Sequence, residues 1–243
     1  MDPVANELWT THLGTVEYTE AAALQERLRE RVIAGELPPL LLLLEHPPVY
    51  TLGRRSDPAD LPFGSDYWRR QGIDVVQTPR GGRLTYHAPG QLVGYPIMPV
   101  GEIPTFIRTM EQALVEALAE EGIAARGRDR EGPQFTGVWV EDRKIGSIGV
   151  HVSRGVSMHG FAVNVDNDVT PFHQVTACGL PGVTMTSIAL ETGRTGGLAC
   201  FRKRVAYAYA RAHGLRQRIV HPARLEAGTV GPAERGRPIP SVA

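Results

Sequence analysis

A thiol on a turn, an amine opening a strand and a glycine-rich loop are the groups here whose types and spacing could do chemistry. Cys178 lies in Thr176-Ala177-Cys178-Gly179-Leu180-Pro181-Gly182, a run too rich in glycine and proline for a helix or a central strand. A thiol on such a turn is within a substrate's reach, whereas a core cysteine serves as a small hydrophobe. The segment alone leaves both readings open. Lys144 begins Lys144-Ile145-Gly146-Ser147-Ile148-Gly149; taken singly, a lysine is a solvated surface charge. In the loop from Arg80 to Gln91, the adjacent glycines Gly81 and Gly82 let the backbone approach a ligand, and Arg80, Thr85 and His87 can orient its polar parts. The same composition also makes a well-formed turn.

These residues need strands to hold them. Val138 to Val140 and Ile145 to His151 flank Glu141 to Lys144 as a hairpin, and Val156 to Val165 alternates as a further strand after an Arg154-Gly155 turn. By alternation Ser147 and Gly149 share one face, and Gly160, Ala162 and Asn164 place small side chains on one face of the next strand. Such bare faces leave a slot for a slim apolar chain, or else serve close packing of a helix on the sheet.

Around this centre, Ala21, Leu24, Leu28 and Val32 recur at helical spacing until Gly35, Pro38 and Pro39. Leu40 to Leu44 reads as a strand buried on both faces, with Val49 to Leu52 extended beyond Pro47 and Pro48. Val75 to Gln77 and Leu92 to Met98 read as strands. A second helical stripe runs Ile103, Ile107, Met110, Leu114 and Leu118, with Pro104 in its first turn and Gly122 at its stop; a last helix carries Leu198, Phe201, Val205, Ala208 and Ala212. Strands clustered in hairpins between spaced helices predict an α+β fold, a mixed sheet with packed helices. One catalytic domain is expected over 1–224, followed by a flexible tail over 225–243 that lacks periodicity.

Composition sets limits. Lys plus Arg and Asp plus Glu are 26 each among 243 residues, so no global field attracts nucleic acid or an anionic membrane. No apolar run approaches the roughly 20 residues of a membrane span, and no signal peptide is visible, so a cytoplasmic protein is expected. The two cysteines, Cys178 and Cys200, are expected as free thiols. None of His46, His151, His159 and His173 has the paired spacing of a zinc site. They read as structural, with no metal expected.

Taken together, Glu45-His46-Pro47-Pro48-Val49-Tyr50-Thr51-Leu52-Gly53-Arg54, the Arg80 to Gln91 loop, Lys144-Ile145-Gly146-Ser147-Ile148-Gly149 and Ala177-Cys178-Gly179 resemble the lipoyl(octanoyl) transferase family over about Leu8 to Gly214. The resemblance implies the catalytic core of biotin protein ligases and lipoate ligases. It also implies transfer of an octanoyl group from acyl carrier protein to a lysine of lipoyl domains, those of 2-oxoacid dehydrogenases and of the glycine cleavage H protein. It assigns the acyl thioester to Cys178 and its activation to Lys144. Substrate contacts fall on Arg80, Gly81, Gly82, Arg83, Leu84, Thr85, Tyr86 and His87, on Ser147, Ile148 and Gly149, and on Gly160, Phe161 and Ala162. Two departures stand out: Ala88 replaces the glycine of the family's His-Gly-Pro-Gly loop, and Ala177 replaces the proline usual before the cysteine.

Under that reading Lys144 helps form the thiolate, because an ordinary thiol with pKa of about 8.5 is only slightly ionised at neutral pH. Neutral Lys144 then takes a proton from the acceptor amine. Converting a thioester to an amide runs downhill, so no ATP or other cofactor is expected. N–H groups at Cys178 and Gly179 are candidate oxyanion donors. The rivals are an ATP-dependent lipoate or biotin ligase and a non-catalytic lipoyl-domain-binding module. A monomer is expected. Of the clustered basic residues, Arg54 and Arg55 are the expected docking point for an acidic carrier protein.

Overall fold

The computed structural model describes residues 6–180 and 182–227, with Asp129 by its backbone alone. Along the chain the elements run β1 (Glu7–Thr15), α1 (Tyr18–Ile33), β2 (Leu40–Glu45), β3 (Val49–Leu52), α2 (Gly64–Arg70) and β4 (Asp74–Gln77). Next come β5 (Thr85–His87), β6 (Gln91–Ile97), α3 (Ile103–Ala119), β7 (Arg126–Gly127), β8 (Gly137–Val140), β9 (Arg143–Ser153) and β10 (Val156–Asn164). The described chain ends with β11 (Thr184–Met185), α4 (Ile188–Thr192), α5 (Leu198–Ala212), β12 (Arg216–Ile219) and α6 (Ala223–Glu226).

Five leucines in a row suit a strand covered on both faces, and β2 is that strand. Leu41 and Leu43 join a core with Met110, Leu114 and Leu118 of α3 and Phe201 and Val205 of α5. Leu40, Leu42 and Leu44 join a second core with Ala21, Leu28 and Val32 of α1. Each fully buried leucine contributes roughly 1.5–3 kcal/mol against exposure, so this strand anchors the middle of the sheet.

Nine strands form the large sheet among the described residues, ordered β12-β1-β2-β6-β10-β9-β8-β7, with β11 beside β9. It is mixed: β1 runs parallel to β2 and β12, while β2, β6, β10, β9 and β8 are antiparallel neighbours. A small sheet, β4-β3-β5, packs with α2 over a third apolar cluster that includes Tyr50, Trp68, Leu84 and Tyr86. The expected α+β arrangement is therefore the observed one, and element ends agree closely. Arg154 and Gly155 both have positive φ, 49° and 75°, the geometry of a tight primed hairpin turn between β9 and β10.

The stripe of the second long helix needs correction. Ile103 is 45% exposed, and the buried face of α3 begins instead at Phe106, Met110 and Ala113. Periodicity found the helix but placed its first turn on the wrong side. Leu225, the first residue of the expected tail, is buried, and Arg31 donates to its carbonyl; residues 228–243 of that tail lie outside the described residues. No described helix is long and apolar enough to cross a membrane.

Candidate active site

Cys178 sits in a one-turn 3-10 segment, Ala177–Gly179, with φ 58° and ψ 9°. A left-handed cysteine is uncommon and is held only where its surroundings over-determine it. Its N–H donates to Leu84 O at 2.9 Å, which ties the turn to the start of β5. Thr176 N–H donates to Asp60 O at 3.0 Å, and Arg83 makes a two-point ion pair to the buried Asp60 carboxylate at 2.9 and 2.7 Å. A Cβ on Gly179 would lie 2.3 Å from Arg83 Cδ. The turn and the Arg83 side chain therefore interlock.

Lys144 reaches the thiol because of a bulge. Val138 pairs with Gly146 but Trp139 pairs with Lys144, so Ile145 is the extra residue. Without it, positions three apart on a strand would face opposite ways. With it, Lys144 and Ser147 face the same side as Trp139 and Gly137, while Ile145 turns into the core. Lys144 is 2% exposed, and its Nζ donates to Thr136 O at 3.0 Å and to Cys178 Sγ at 3.3 Å. It also lies over the Trp139 ring at 5.2 Å. Ser147 Oγ is 3.8 Å from Cys178 Sγ. Downstream, β11 runs beside Arg143 and Lys144, and Thr186 N–H donates to Lys144 O at 3.0 Å.

Cys178, Lys144 and Ser147 border a cavity of about 280 Å³ whose lining includes the exposed residues Arg55, Gln134 and Ile103. Of the expected contact residues, Arg80, Gly81, Gly82, Arg83, Thr85, His87, Ser147, Ile148, Gly149, Gly160, Phe161 and Ala162 line it. Leu84 and Tyr86 do not. Alternation along β5 sends Thr85 and His87 to the cavity and Leu84 and Tyr86 into the third apolar cluster. Those two hold the loop.

The bare strand faces border the cavity, and two of their glycines also admit close neighbours. A Cβ on Gly149 would lie 2.9 Å from Gly81 O, and one on Gly160 would lie 2.3 Å from Gly94 O. These glycines admit neighbouring backbone. Gly149→Val should therefore push the 80–82 loop outward, at roughly 1–3 kcal/mol for overpacking. Melting temperature should fall, and rates with butanoyl and octanoyl donors should drop together; a selective gain for butanoyl would restore the open-slot reading.

Ala88 is absent from the positive-φ residues, and the left-handed positions of the loop are Gly82 and Gly90, each with φ 86°. The alanine thus costs no strain. Cys178 N–H is engaged by Leu84 O, so it is not a free oxyanion donor as expected. Arg55 is exposed and lines the cavity, and neither Arg54 nor Arg55 has a carboxylate partner among the described ion pairs. Arg69 and Arg204 of the other clusters are paired with Asp66 and Glu121. Cys200 is a free, exposed thiol on α5.

Arg80 is buried, and burial lowers its pKa. Its guanidinium donates to Thr51 O, Thr51 Oγ1 and Gly81 O at 2.6 to 3.2 Å. No described carboxylate pairs with it, so the cavity wall carries a fixed cation. Sequence reasoning missed Tyr18, Tyr95, Thr136, Ile103, Ile107 and His159, which also line the cavity. No short motif marks Tyr18 or Tyr95; His159 was legible only as the neighbour of Gly160.

Burial lowers the pKa of His46 to about 4 and of His159 to about 3, and holds His87 well below 6.5. These imidazoles are neutral in the fold and regain ordinary basicity when it opens. The unfolded chain then binds more protons below pH 6.5, so stability falls as pH falls. Between pH 7 and pH 5, His46 and His159 together should remove about 4 kcal/mol. Urea unfolding followed at both pH values measures this, and equal stability would contradict buried neutral histidines. Among the described residues no group of three His, Cys, Asp or Glu side chains could hold a metal ion.

The family model for the lipoyl protein ligase A/B catalytic domain matches residues 17–210. The chain belongs to that family. An octanoyltransferase of Geobacter sulfurreducens is 45% identical over 205 residues, covering 82% of this chain and 81% of that protein. An octanoyltransferase of Mycobacterium leprae is 43% identical over 206 residues, covering 81% and 83%. In fold, this member of the lipoyl protein ligase A/B family is similar to lipoate-protein ligase A bound with ATP. The TM-score is 0.71 at 16% identity, over 91% of each chain. The bi-partite lipoate protein ligase of Thermoplasma acidophilum also gives 0.71, at 18% identity over 91% and 89%. At these identities the likeness is one of fold.

Proposed function

We propose that this chain is an octanoyltransferase: it takes an octanoyl group from the thioester of acyl carrier protein onto Cys178 and passes it to a lysine of a lipoyl domain. The observation that carries the reading is the 3.3 Å contact of Lys144 Nζ with Cys178 Sγ at the wall of the cavity. The names of the 41–45% identical relatives support the acyl group and the reaction type.

In the first half-reaction Lys144, as the free amine, takes the thiol proton, and the Cys178 thiolate attacks the donor carbonyl. The carrier's sulfur leaves and receives that proton from Lys144. In the second, the acceptor amine attacks the acyl-enzyme, Lys144 takes a proton from the attacking nitrogen, and the C–S bond to Cys178 breaks. The proton returns to sulfur. Arg80, a buried cation in the same wall, favours the negative charge that develops at each step. The acceptors are the lipoyl domains of 2-oxoacid dehydrogenases and the glycine cleavage H protein.

A second reading, ATP-dependent ligation of free lipoate, has one point in its favour: the fold is shared with a ligase bound with ATP. Intact-mass measurement separates the two. Octanoyl carrier protein without ATP should add one octanoyl group to the enzyme, removable by hydroxylamine. Modification only with free acid and ATP would establish the ligase.

A further inference from the structure

Two amides of the Cys178 turn are spent on holding it. Cys178 N–H donates to Leu84 O at 2.9 Å and Leu180 N–H to Ala177 O at 3.0 Å. Lys144 Nζ is directed to Thr136 O and to the thiol itself. The Arg80 guanidinium sends Nε and Nη2 to Thr51 and Nη1 to Gly81 O. Yet a carbonyl attacked by sulfur gathers negative charge on its oxygen, and that oxygen needs a hydrogen-bond donor already in place.

One hydroxyl on the cavity wall has nothing to bond. Thr85 is 7% exposed, and its Oγ1 is buried with no hydrogen-bond partner among the described residues. Folded proteins keep few groups in that state, because burial strips the hydroxyl of water and nothing replaces it. The cross-strand neighbour gives no relief: Thr51 Oγ1 accepts from Arg80 Nε and Nη2 at 3.2 and 2.8 Å.

The backbone puts this hydroxyl beside the nucleophile. Leu84 O, which accepts the Cys178 N–H, belongs to the peptide bond that joins Leu84 to Thr85. Alternation turns Leu84 into the third apolar cluster and Thr85 toward the cavity that Cys178 also lines. A β-branched side chain on a strand has few χ1 states, so the hydroxyl is fixed before a substrate arrives. A fixed dipole is the kind that stabilises a transition state without reorganising.

We propose that Thr85 Oγ1 donates the hydrogen bond that holds the thioester carbonyl oxygen during acyl transfer. The proposal rests on the acyl-transfer reading above and adds a catalytic residue to it. As the Cys178 sulfur bonds to the carbonyl carbon, the π pair of the C=O moves onto oxygen, and Thr85 bonds that oxygen without giving up its proton. When the C–S bond to the carrier breaks, the pair returns and the carbonyl re-forms. The same oxygen becomes charged again when the acceptor amine attacks the acyl-enzyme, so one hydroxyl serves both halves. Arg80 contributes charge, and Thr85 the hydrogen bond.

Thr85→Val keeps the shape and the β-branch and removes the donor. With octanoyl acyl carrier protein it should lower the single-turnover rate of Cys178 acylation about 10²-fold, and transfer from the acyl-enzyme to a lipoyl domain by a similar factor. Thr85→Ser should recover at least about tenfold of that loss. Two readouts should not fall. Alkylation of Cys178 by iodoacetamide, a displacement at a saturated carbon that charges no carbonyl oxygen, should stay within about twofold of the unmodified rate. The melting temperature should hold or rise, since an unsatisfied buried hydroxyl has been removed. If Thr85→Val does not fold, Thr85→Ala compared with Thr85→Ser carries the same test. Acylation at the normal rate in the variant without the hydroxyl, or equal slowing of acylation and alkylation, would overturn the role of Thr85 and leave acyl transfer in place. Absence of any acyl-enzyme from the unmodified protein would instead remove the acyl-transfer reading, and this role with it.

Discussion

Cys178→Ala should form no acyl-enzyme with any donor and should lower transfer by about 10⁴-fold or more, the scale on which loss of a catalytic nucleophile acts. No other thiol lies near the cavity, since Cys200 is exposed on α5. Cys200→Ala should match the unmodified enzyme. The substitution also separates chemistry from folding: alanine at φ 58° carries about the same backbone strain as cysteine, so the melting temperature should change little. Intact mass after incubation with octanoyl carrier protein measures the first effect. A hydroxylamine-labile adduct that survives in Cys178→Ala would place the thioester elsewhere.

Lys144→Arg should reduce kcat by roughly 10²- to 10⁴-fold, the usual contribution of a positioned general base. Arginine keeps the positive charge that steadies a thiolate but cannot give up its proton near neutral pH. The site is also tight, because Nζ donates to Thr136 O and lies over Trp139. The two roles of Lys144 can be read apart. A guanidinium should still promote alkylation of Cys178 by iodoacetamide, whereas Lys144→Met should slow it. Transfer at the normal rate in Lys144→Arg would mean that charge alone matters and that another group moves the proton.

Much of the scaffold was readable from pattern. Leu40 to Leu44 read as a doubly covered strand, and the stripes of α1 and α5 show which face meets the sheet. The first turn of α3 was misread because Ile103 and Ile107 are apolar at helical spacing, and a period cannot distinguish a core wall from a cavity wall. The glycines of β9 and β10 were found, but not what packs against them. Whether an absent side chain leaves a channel or admits a carbonyl depends on what packs opposite, here Gly81 O and Gly94 O.

By itself the sequence determined the fold class, the family, and the types of group available: one thiol on a turn, one lysine at a strand start, and a loop with two adjacent glycines; strands such as β1 and β12 carried no pattern that marked them. Local composition and periodicity are enough for that, because turns, helices and strands are set largely by neighbours in the chain. Only the tertiary structure decided which of these groups meet. The extra residue Ile145 brings Lys144 and Ser147 to one face, and Leu84 O holds the Cys178 turn against β5 from 94 positions away in the chain. Burial then makes His46, His87 and His159 neutral and closes the cavity with Tyr18 and Tyr95. Register and desolvation are properties of packed neighbours that are distant in sequence, and so no segment of the chain contains them.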